Sequence, residues 1–464
     1  MTQRLILDVS RLLSRASHAV PTGIDRVELA YAEWLLRHCP DRLQFAALHP
    51  LGRFGRLPTE PVQHFLDVAA RRWRGGEVSA EAVRRAGRAL LGPAFLRGQL
   101  MLEPRQAGPT TYLNVSHHHL DRPAVIEDAK RRYGARFVCM VHDLIPIEFP
   151  EYARPAEPAR HERRIRTVAA LADGVLVNSA ATAASLQPWL DRAGRGTPVL
   201  VAPLGIDVPS SSPGTYDPGA YDPGAYDPAA PGPGTDQHIP GYLSPGSPSP
   251  GSPSPGSPSP GSPSPGDPAA HPYFVFLGTI EPRKNHLLPL HVWRRLVERH
   301  GPAAPRLVLA GRRGWENEQV VDMIERCAAL HGVVEERTDL SDAQTGALLR
   351  GARALLLPSF AEGYGLPVAE ALAAGTPVLC SPLPAMQEVG GNVPEYLDPL
   401  DGPAWMRAIE DYAAPGSPRR AAQVARLSGW RAPEWGEHMV NMIDFLDRLK
   451  APLLVPLPQL KLSP

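Results

Sequence analysis

The sequence is poor in cysteine, in long apolar runs and in net charge, and each shortage excludes a class of protein. Four of the 464 residues are cysteines, scattered without a CxxC pair or a Cys/His spacing typical of zinc sites. A disulfide-stapled fold is therefore excluded, and we expect reduced thiols in the cytoplasm. Lys plus Arg and Asp plus Glu number 48 each, so the formal charge is zero and gives no support for a nucleic-acid partner.

No stretch approaches the roughly 20 apolar residues that a membrane-spanning helix needs. The N-terminus, MTQRLILDVS, lacks a basic segment followed by a long apolar one, so we expect no signal peptide. Residues 51–110 hold ten arginines against five acids. One interpretation is a basic helix in peripheral contact with the inner face of the membrane. The alternative, which we favour, is an amphipathic helix whose charged face is in water and whose stripe of apolar residues packs in the core.

Proline and glycine, by contrast, are abundant, at 54 and 41 residues. Residues 209–270 contain YDPGA, YDPGA and YDPAA in succession and then repeated SPSPG units. This composition cannot bury a core and predicts a disordered linker with polyproline II character. It divides the chain into a domain at 1–208, the linker, a domain at 271–449 and a tail at 450–464. A proline-rich ligand for an SH3-like partner is an alternative to a simple repeat expansion.

The most informative stretch is residues 355–391, LLLPSFAEGYGLPVAEALAAGTPVLCSPLPAMQEVGG. It predicts a buried parallel strand at 355–357, a glycine-containing loop, a helix opening at Pro367 and a second strand at 376–381. The N-terminus of this helix points free backbone N–H groups at the loop. Such a position suits an anion, for example phosphate.

Two carboxylates flank the same loop, Glu362 and Glu370, with seven residues between them. A carboxylate repels phosphate but accepts hydrogen bonds from hydroxyl groups, so we expect both to contact a sugar or a ribose. Together with the anion position, they predict a nucleotide-sugar pocket. The string E-G-Y-G-L-P-V-A-E-A-L-A-A-G-T-P-V resembles the E-x7-E signature of retaining glycosyltransferases of family 4, which have the GT-B fold.

Other segments carry the same resemblance. G-T-I-E-P-R-K-N is similar to the family's diphosphate-binding loop, and the adjacent cations Arg283 and Lys284 suit a departing diphosphate. Much of the family has an arginine where this chain has Thr279, so Arg283 is expected to take that role. VHDLIPIEFPEY follows a predicted buried strand and resembles the H-D motif, whose histidine, here His142, lies near the reacting sugar carbon.

Two weaker signals lie in the first domain. Residues 22–26, TGIDR, resemble a TGI-x-R loop near the donor diphosphate or the acceptor, although a turn glycine explains Gly23 as well. Three consecutive histidines at 117–119 suggest a metal. Adjacent side chains at a strand end point in different directions, however, so we expect a polar loop there and no metal site.

The resemblance implies an α/β protein of the GT-B class, with two facing Rossmann-like domains, the acceptor on the first, the donor on the second and a last helix that crosses back. It implies retaining transfer of a hexose, with mannose from GDP-mannose as our expectation because the E-P-R-K-N subgroup is rich in mannosyltransferases. The expected acceptor is a glycan or polyprenyl-linked oligosaccharide in cell-surface polysaccharide or lipopolysaccharide synthesis, and no metal or other cofactor is expected. The predicted catalytic residues are His142, Glu362, Arg283 and Lys284, and the predicted donor-binding residues are Gly23, Gly363, Tyr364, Gly365, Leu366 and Glu370.

Two alternatives from other classes remain. One is a nucleotide-sugar epimerase of GT-B fold, which would act without an acceptor. The other is a non-catalytic scaffold that presents the proline-rich segment to partners. A scaffold has no need of Glu362, Glu370, Arg283 and Lys284, so these residues argue against it.

Overall fold

The computed structural model describes residues 3–16, 18, 20–92, 95, 109–206, 272–338 and 340–449. Within these ranges the chain forms two α/β domains, each built on a mainly parallel sheet. The predicted linker at 209–270 and the tail at 450–464 lie outside the described residues. Within the part of the chain that is described, no helix combines the length and apolarity needed to cross a membrane.

The first domain contains a seven-stranded sheet. Its strands are β1 (Arg4–Asp8), β2 (Leu43–Leu48), β3 (Phe54–Leu57), β4 (Thr110–Asn114), β5 (Ala135–Val141), β6 (Gly174–Val177) and β7 (Val199–Val201). They lie in the order β3-β2-β1-β4-β5-β6-β7, and only the pairing of β2 with β3 is antiparallel. Every residue of β5 is buried, as expected of a central parallel strand covered on both faces.

Eight helices accompany this sheet among the described residues. They are α1 (Ser10–Arg15), α2 (Gly23–His38), α3 (Thr59–Trp73), α4 (Ala80–Leu91), α5 (Pro123–Tyr133), α6 (Ile145–Glu148), α7 (Glu157–Leu171) and α8 (Ala180–Ala193). The basic segment at 51–110 supplies α3 and α4, whose apolar residues, such as Phe65 and Leu90, are buried in the domain core. This arrangement fits the core-stripe interpretation of that segment.

The second domain repeats the plan with six parallel strands. They are β8 (Tyr273–Leu277), β9 (Arg306–Ala310), β10 (Val334–Arg337), β11 (Leu355–Leu357), β12 (Val378–Cys380) and β13 (Glu395–Tyr396), in the order β10-β9-β8-β11-β12-β13. The helices are α9 (Leu287–His300), α10 (Glu318–Arg326), α11 (Asp342–Gly351), α12 (Leu366–Ala373), α13 (Pro384–Gly390), α14 (Gly402–Ala413) and α15 (Pro418–Leu427). The strand order reverses between β8 and β11, which opens a crevice at their carboxyl ends.

The last described helix, α16 (Trp435–Arg448), packs on the first domain. Its residues Met439, Met442 and Leu446 are buried in the same apolar cluster as Leu5 of β1. The ring of His438 is hydrogen-bonded through Nε2 to the Tyr31 hydroxyl at 2.6 Å. The second half of the chain therefore completes the core of the first.

Candidate active site

The stretch at 355–391 forms the predicted strand, loop, helix and strand. Gly365 is the N-cap of α12 with φ of +98°, a left-handed conformation that favours glycine, and Pro367 is the second helical residue. Gly375 follows the helix with φ of +78°, a left-handed conformation that is common where a helix ends. The second strand is shorter than predicted and covers Val378–Cys380.

Glu362 lies in the loop after β11 and is enclosed by donors. Its Oε1 accepts hydrogen bonds from Lys284 Nζ at 2.5 Å and from Ser359 Oγ at 2.8 Å. Its Oε2 accepts from Arg283 Nη1 at 2.8 Å. Burial alone would raise the pKa of Glu362, but the charges of Arg283 and Lys284 outweigh it and lower the pKa to about 2. The carboxylate is thus ionised and fixed in position.

The two predicted diphosphate cations come from a short 3-10 turn, Pro282–Lys284, that follows β8. Arg283 also pairs with Glu281 at 2.6 Å, and Glu281 and Glu362 raise its pKa against the opposing effect of burial. Burial lowers the pKa of Lys284 despite its pairing with Glu362. The sequence predicts that these cations and Glu362 contact the same ligand. In the structure, both cations also contact Glu362 directly.

His142 follows β5 in the first domain and meets this loop across the cleft. Its Nε2 donates to the carbonyl of Val115 at 2.9 Å, and burial lowers its pKa. A Cβ on Gly363 would lie 2.5 Å from the His142 carbonyl oxygen, so only glycine allows this approach. The hydroxyl of Ser179 donates to the Gly363 carbonyl at 2.9 Å. His142 and the Glu362 loop are therefore neighbours.

The remaining predicted donor-binding residues line the same junction. A Cβ on Gly23 would lie 3.1 Å from Leu366 Cδ1, which puts the first turn of α2 against the start of α12. The hydroxyl of Tyr364 donates to the Leu204 carbonyl at 2.9 Å, and its ring is buried in the first domain's cluster. Helix α2 begins at Gly23, because Thr22 and Asp25 form a capping box.

Glu370 has a partner that the sequence did not predict. Its Oε1 accepts from Arg26 Nη1 at 3.0 Å, and Arg26 Nη2 donates to Asp342 at 2.5 Å. Arg26 belongs to the TGIDR segment, in which Gly23 is the predicted donor-binding residue. The sequence signal for this contact was the resemblance of the TGIDR segment to a family loop. In the structure, the arginine side chain reaches the other domain.

Glu388 makes a second contact that the sequence did not predict. Its carboxylate accepts from the backbone N–H groups of Ala180 at 2.6 Å and Ala181 at 2.8 Å, in the first turn of α8. A carboxylate at a helix N-terminus is favourable because it satisfies free N–H groups and the helix dipole. Nearby, Tyr152 of the first domain stacks on Phe360 of the second, with ring centroids 5.7 Å apart. The two domains are therefore in direct contact at Glu388 and at Phe360.

The three consecutive histidines have separate surroundings. The His117 ring lies 5.2 Å from that of His142 and 5.1 Å from that of His161, measured between centroids. His119 Nε2 lies 3.0 Å from an Asp8 carboxylate oxygen. Across the described ranges, no group of three or more His, Cys, Asp or Glu side chains is arranged to hold a metal ion.

Comparison with known proteins shows what the sequence and the fold of this chain are similar to. Residues 271–414 match the profile of the family described as glycosyl transferases group 1. The O-antigen chain mannosyltransferase B of Escherichia coli is 36% identical over 129 residues, which cover 28% of this chain and 33% of that protein. The serotype-specific mannosyltransferase WbdA of Escherichia coli is 22% identical over 419 residues, 89% of this chain and 43% of that protein. The chain thus spans less than half the length of these curated relatives.

Two solved structures resemble nearly the whole chain. One is HepE from Anabaena in complex with UDP and glucose, with a TM-score of 0.57 and 13% identity, over 96% of this chain and 100% of that one. The other is sucrose-phosphate synthase from Thermosynechococcus elongatus, with a TM-score of 0.54 and 15% identity, over 97% and 99% of the two chains. At such identities the likeness concerns the fold, and it confirms the predicted GT-B class.

Proposed function

We propose that the protein is a retaining glycosyltransferase that transfers a hexose from a nucleotide diphosphate sugar to a glycan or polyprenyl-linked acceptor. The observation that supports this most directly is the constellation of Glu362, Arg283 and Lys284 at the carboxyl ends of β8 and β11, facing His142 across the cleft. Two domains that each contribute to one crevice suit a reaction between two substrates.

In this proposal the cations act on the leaving group. As the bond between the anomeric carbon and the donor phosphate oxygen breaks, negative charge grows on the diphosphate, and Lys284 and Arg283 stabilise it. The acceptor oxygen forms the new bond on the same face, and its proton passes to a donor phosphate oxygen. Glu362 accepts hydrogen bonds from the transferred sugar, Glu370 accepts from the ribose, and His142 lies beside the anomeric carbon. No enzyme nucleophile takes part.

The proposed donor is GDP-mannose. Both Escherichia coli relatives are described as mannosyltransferases, and one is described as acting on the O-antigen chain, so polysaccharide synthesis is the proposed context. A polyprenyl-linked acceptor would bring the protein to the inner face of the membrane.

A nucleotide-sugar screen tests the proposal. Thermal unfolding of the protein is recorded with GDP-mannose, UDP-glucose and their nucleoside diphosphates, because a ligand that binds the folded state raises the melting temperature. The donor that gives the largest rise is then assayed for transfer in excess EDTA, and the anomeric configuration of the product is determined by NMR. We expect transfer with retention. Inversion would contradict the retaining mechanism, and release of an epimerised sugar without acceptor would favour the epimerase alternative.

A further inference from the structure

Three histidine rings pack together at the carboxyl ends of β4 and β5. His117 follows β4, His142 follows β5 and His161 lies in α7. The centroid of the His117 ring lies 5.2 Å from that of His142 and 5.1 Å from that of His161, with interplanar angles of 72° and 73°. Edge-to-face contact of this kind is a favourable arrangement of aromatic rings. The His117 ring therefore contacts both the predicted catalytic histidine and helix α7.

The other two imidazoles are each held by a backbone carbonyl. His142 Nε2 donates to the Val115 carbonyl at 2.9 Å, and His161 Nε2 donates to the Asp143 carbonyl at 3.0 Å. Burial lowers the pKa of both rings and so favours their neutral forms. Because a carbonyl oxygen only accepts, each neutral ring carries its proton on Nε2 and has an unprotonated Nδ1. The Nδ1 of His161 accepts from Arg164 Nη1 at 3.4 Å.

His117 interacts with the cluster in a different way. Its Nε2 is buried and has no hydrogen-bond partner among the residues that the structure describes. Burial lowers the pKa of His117 well below its ordinary value. The groups that face it from α7, from the end of β5 and from α1 lower the pKa further, and they are His161, His142, Arg164 and Arg11. The neutral ring thus acts on its neighbours through its edge-to-face contacts.

Hydrogen bonds alone do not fix the plane of the His142 ring. The Val115 carbonyl holds one ring nitrogen, and the Thr182 hydroxyl donates to the His142 carbonyl at 3.3 Å, which holds the main chain. A single hydrogen bond to a ring nitrogen still permits the ring to rotate about that bond. The contact with His117 restricts this rotation. Such a restriction matters at an active site, where side chains need an orientation precise to roughly 10–20°.

We propose that His117 is a positioning residue, which holds the plane of the His142 ring through the edge-to-face contact and so fixes where the unprotonated Nδ1 of His142 points. This inference rests on the proposed function, in which His142 lies beside the anomeric carbon. It adds to that function a residue that acts through His142 and needs no contact with either substrate.

The test observes the His142 imidazole directly, by nitrogen-15 NMR of the full chain labelled at histidine. The His142 signal is assigned by its loss in His142→Gln. In the wild type we expect one neutral tautomer, protonated on Nε2, at about pH 7. In His117→Ala the ring is free to turn and water enters, so we expect exchange between tautomers and a rise of the His142 pKa toward about 6.5. His117→Phe keeps an aromatic ring at the contact, and we expect it to preserve the wild-type signal.

Kinetic constants then show whether the reaction needs this positioning. We expect His117→Ala to lower kcat by about tenfold or more while the KM for the donor stays within about twofold of the wild type. In His117→Phe we expect kcat to stay within about threefold of the wild type. The control is His64→Ala, at an exposed histidine of α3 outside the cluster, which should change neither the His142 signal nor kcat.

An unchanged His142 signal in His117→Ala overturns the proposal, and so does a changed signal with wild-type kcat. Equal losses of kcat in His117→Ala and His117→Phe overturn the ring contact as the cause. If His117→Ala does not fold, His117→Asn takes its place, since it also removes the ring. The NMR titration needs no turnover. If the wild type transfers no sugar, the proposed function fails, while the His142 signal still decides whether His117 fixes that ring.

Discussion

Arg26 donates to Glu370 at 3.0 Å and so joins the first turn of α2 in one domain to α12 in the other. The side chains are 34% and 21% exposed, and exposed ion pairs of this kind contribute about 0–1 kcal/mol to stability. The main effect of the contact is therefore to orient the Glu370 carboxylate. In our proposal, this carboxylate accepts hydrogen bonds from the ribose.

The first prediction follows from this contact. Arg26→Ala should weaken GDP binding several-fold while changing the free energy of unfolding by less than about 1 kcal/mol. Calorimetric titration of GDP into Arg26→Ala, Glu370→Gln and the double variant measures the coupling between the two residues. We expect the double variant to be little worse than Glu370→Gln. Fully additive losses would show that Arg26 does not act through Glu370.

The second prediction concerns Lys284, whose side chain is 7% exposed. Lys284→Ala should lower kcat by roughly 10²–10³-fold, because the leaving group loses a charge-assisted contact in the transition state. It should also destabilise the fold, since Glu362 is left buried with less compensation. The double variant Lys284→Ala/Glu362→Gln should recover melting temperature without recovering kcat. Near wild-type turnover in the single variant would refute the assigned role.

Features of this site that depend on residues close together in the chain could be predicted from the sequence, whereas contacts between distant segments could not. The 355–391 unit was predictable, because periodicity, glycine and proline act within a few positions. The capping box of α2 is harder to recognise in the sequence, because it uses Asp25 where the usual pattern has Glu or Gln. The partners of Glu370 and Glu388 were not predictable, since they depend on how the two domains meet.

The third prediction is a pH dependence of stability that originates at Glu28. This residue is fully buried, its Oε1 accepts from the Leu12 N–H at 3.1 Å, and burial followed by the charge of Asp8 raises its pKa from 4.5 to about 8. Between these two pH values the folded state binds the extra proton, so stability falls as pH rises, by up to roughly 1.4 kcal/mol per pH unit. Glu28→Gln should flatten this slope.

Urea denaturation at several pH values between about 5 and about 8 measures the effect of Glu28. The matched control is Glu60→Gln, at an exposed position at the start of α3, which should leave the slope unchanged. An equal slope in the wild type and Glu28→Gln would mean that Glu28 is ionised throughout this range.

The fourth prediction tests the contact between the domains. A Cβ at Gly363 would lie 2.5 Å from the His142 carbonyl oxygen, so Gly363→Ala should keep the domains from meeting at the Glu362 loop. We expect a large fall in kcat, an unchanged circular dichroism spectrum and a larger radius of gyration in solution scattering. Gly436→Ala is the control, because a Cβ there meets no atom within 4 Å. Normal turnover in Gly363→Ala would show that the approach to His142 is not needed for the reaction.

The fifth prediction is that residues 209–270 are dispensable for catalysis. Their composition cannot form a packed core, and the residues before them are anchored independently. Gly205 packs tightly on the Trp435 backbone, and the Ile206 N–H donates to the Pro433 carbonyl at 3.1 Å. A replacement of about fifteen Gly/Ser residues spans roughly 20 Å r.m.s. and adds little closure entropy. Both half-sites and the crossing helix α16 remain in the shortened protein.

The measurements on the shortened protein are kcat and KM with its donor and acceptor, and circular dichroism controls for folding. We expect both kinetic constants within about twofold of the wild type, because no proposed site residue lies in the replaced segment. A folded protein with a large fall in kcat would instead show that the repeats shape the cleft or its closure. If activity falls in cells while kcat in solution is normal, the repeats act through a partner, as the SH3-like alternative requires.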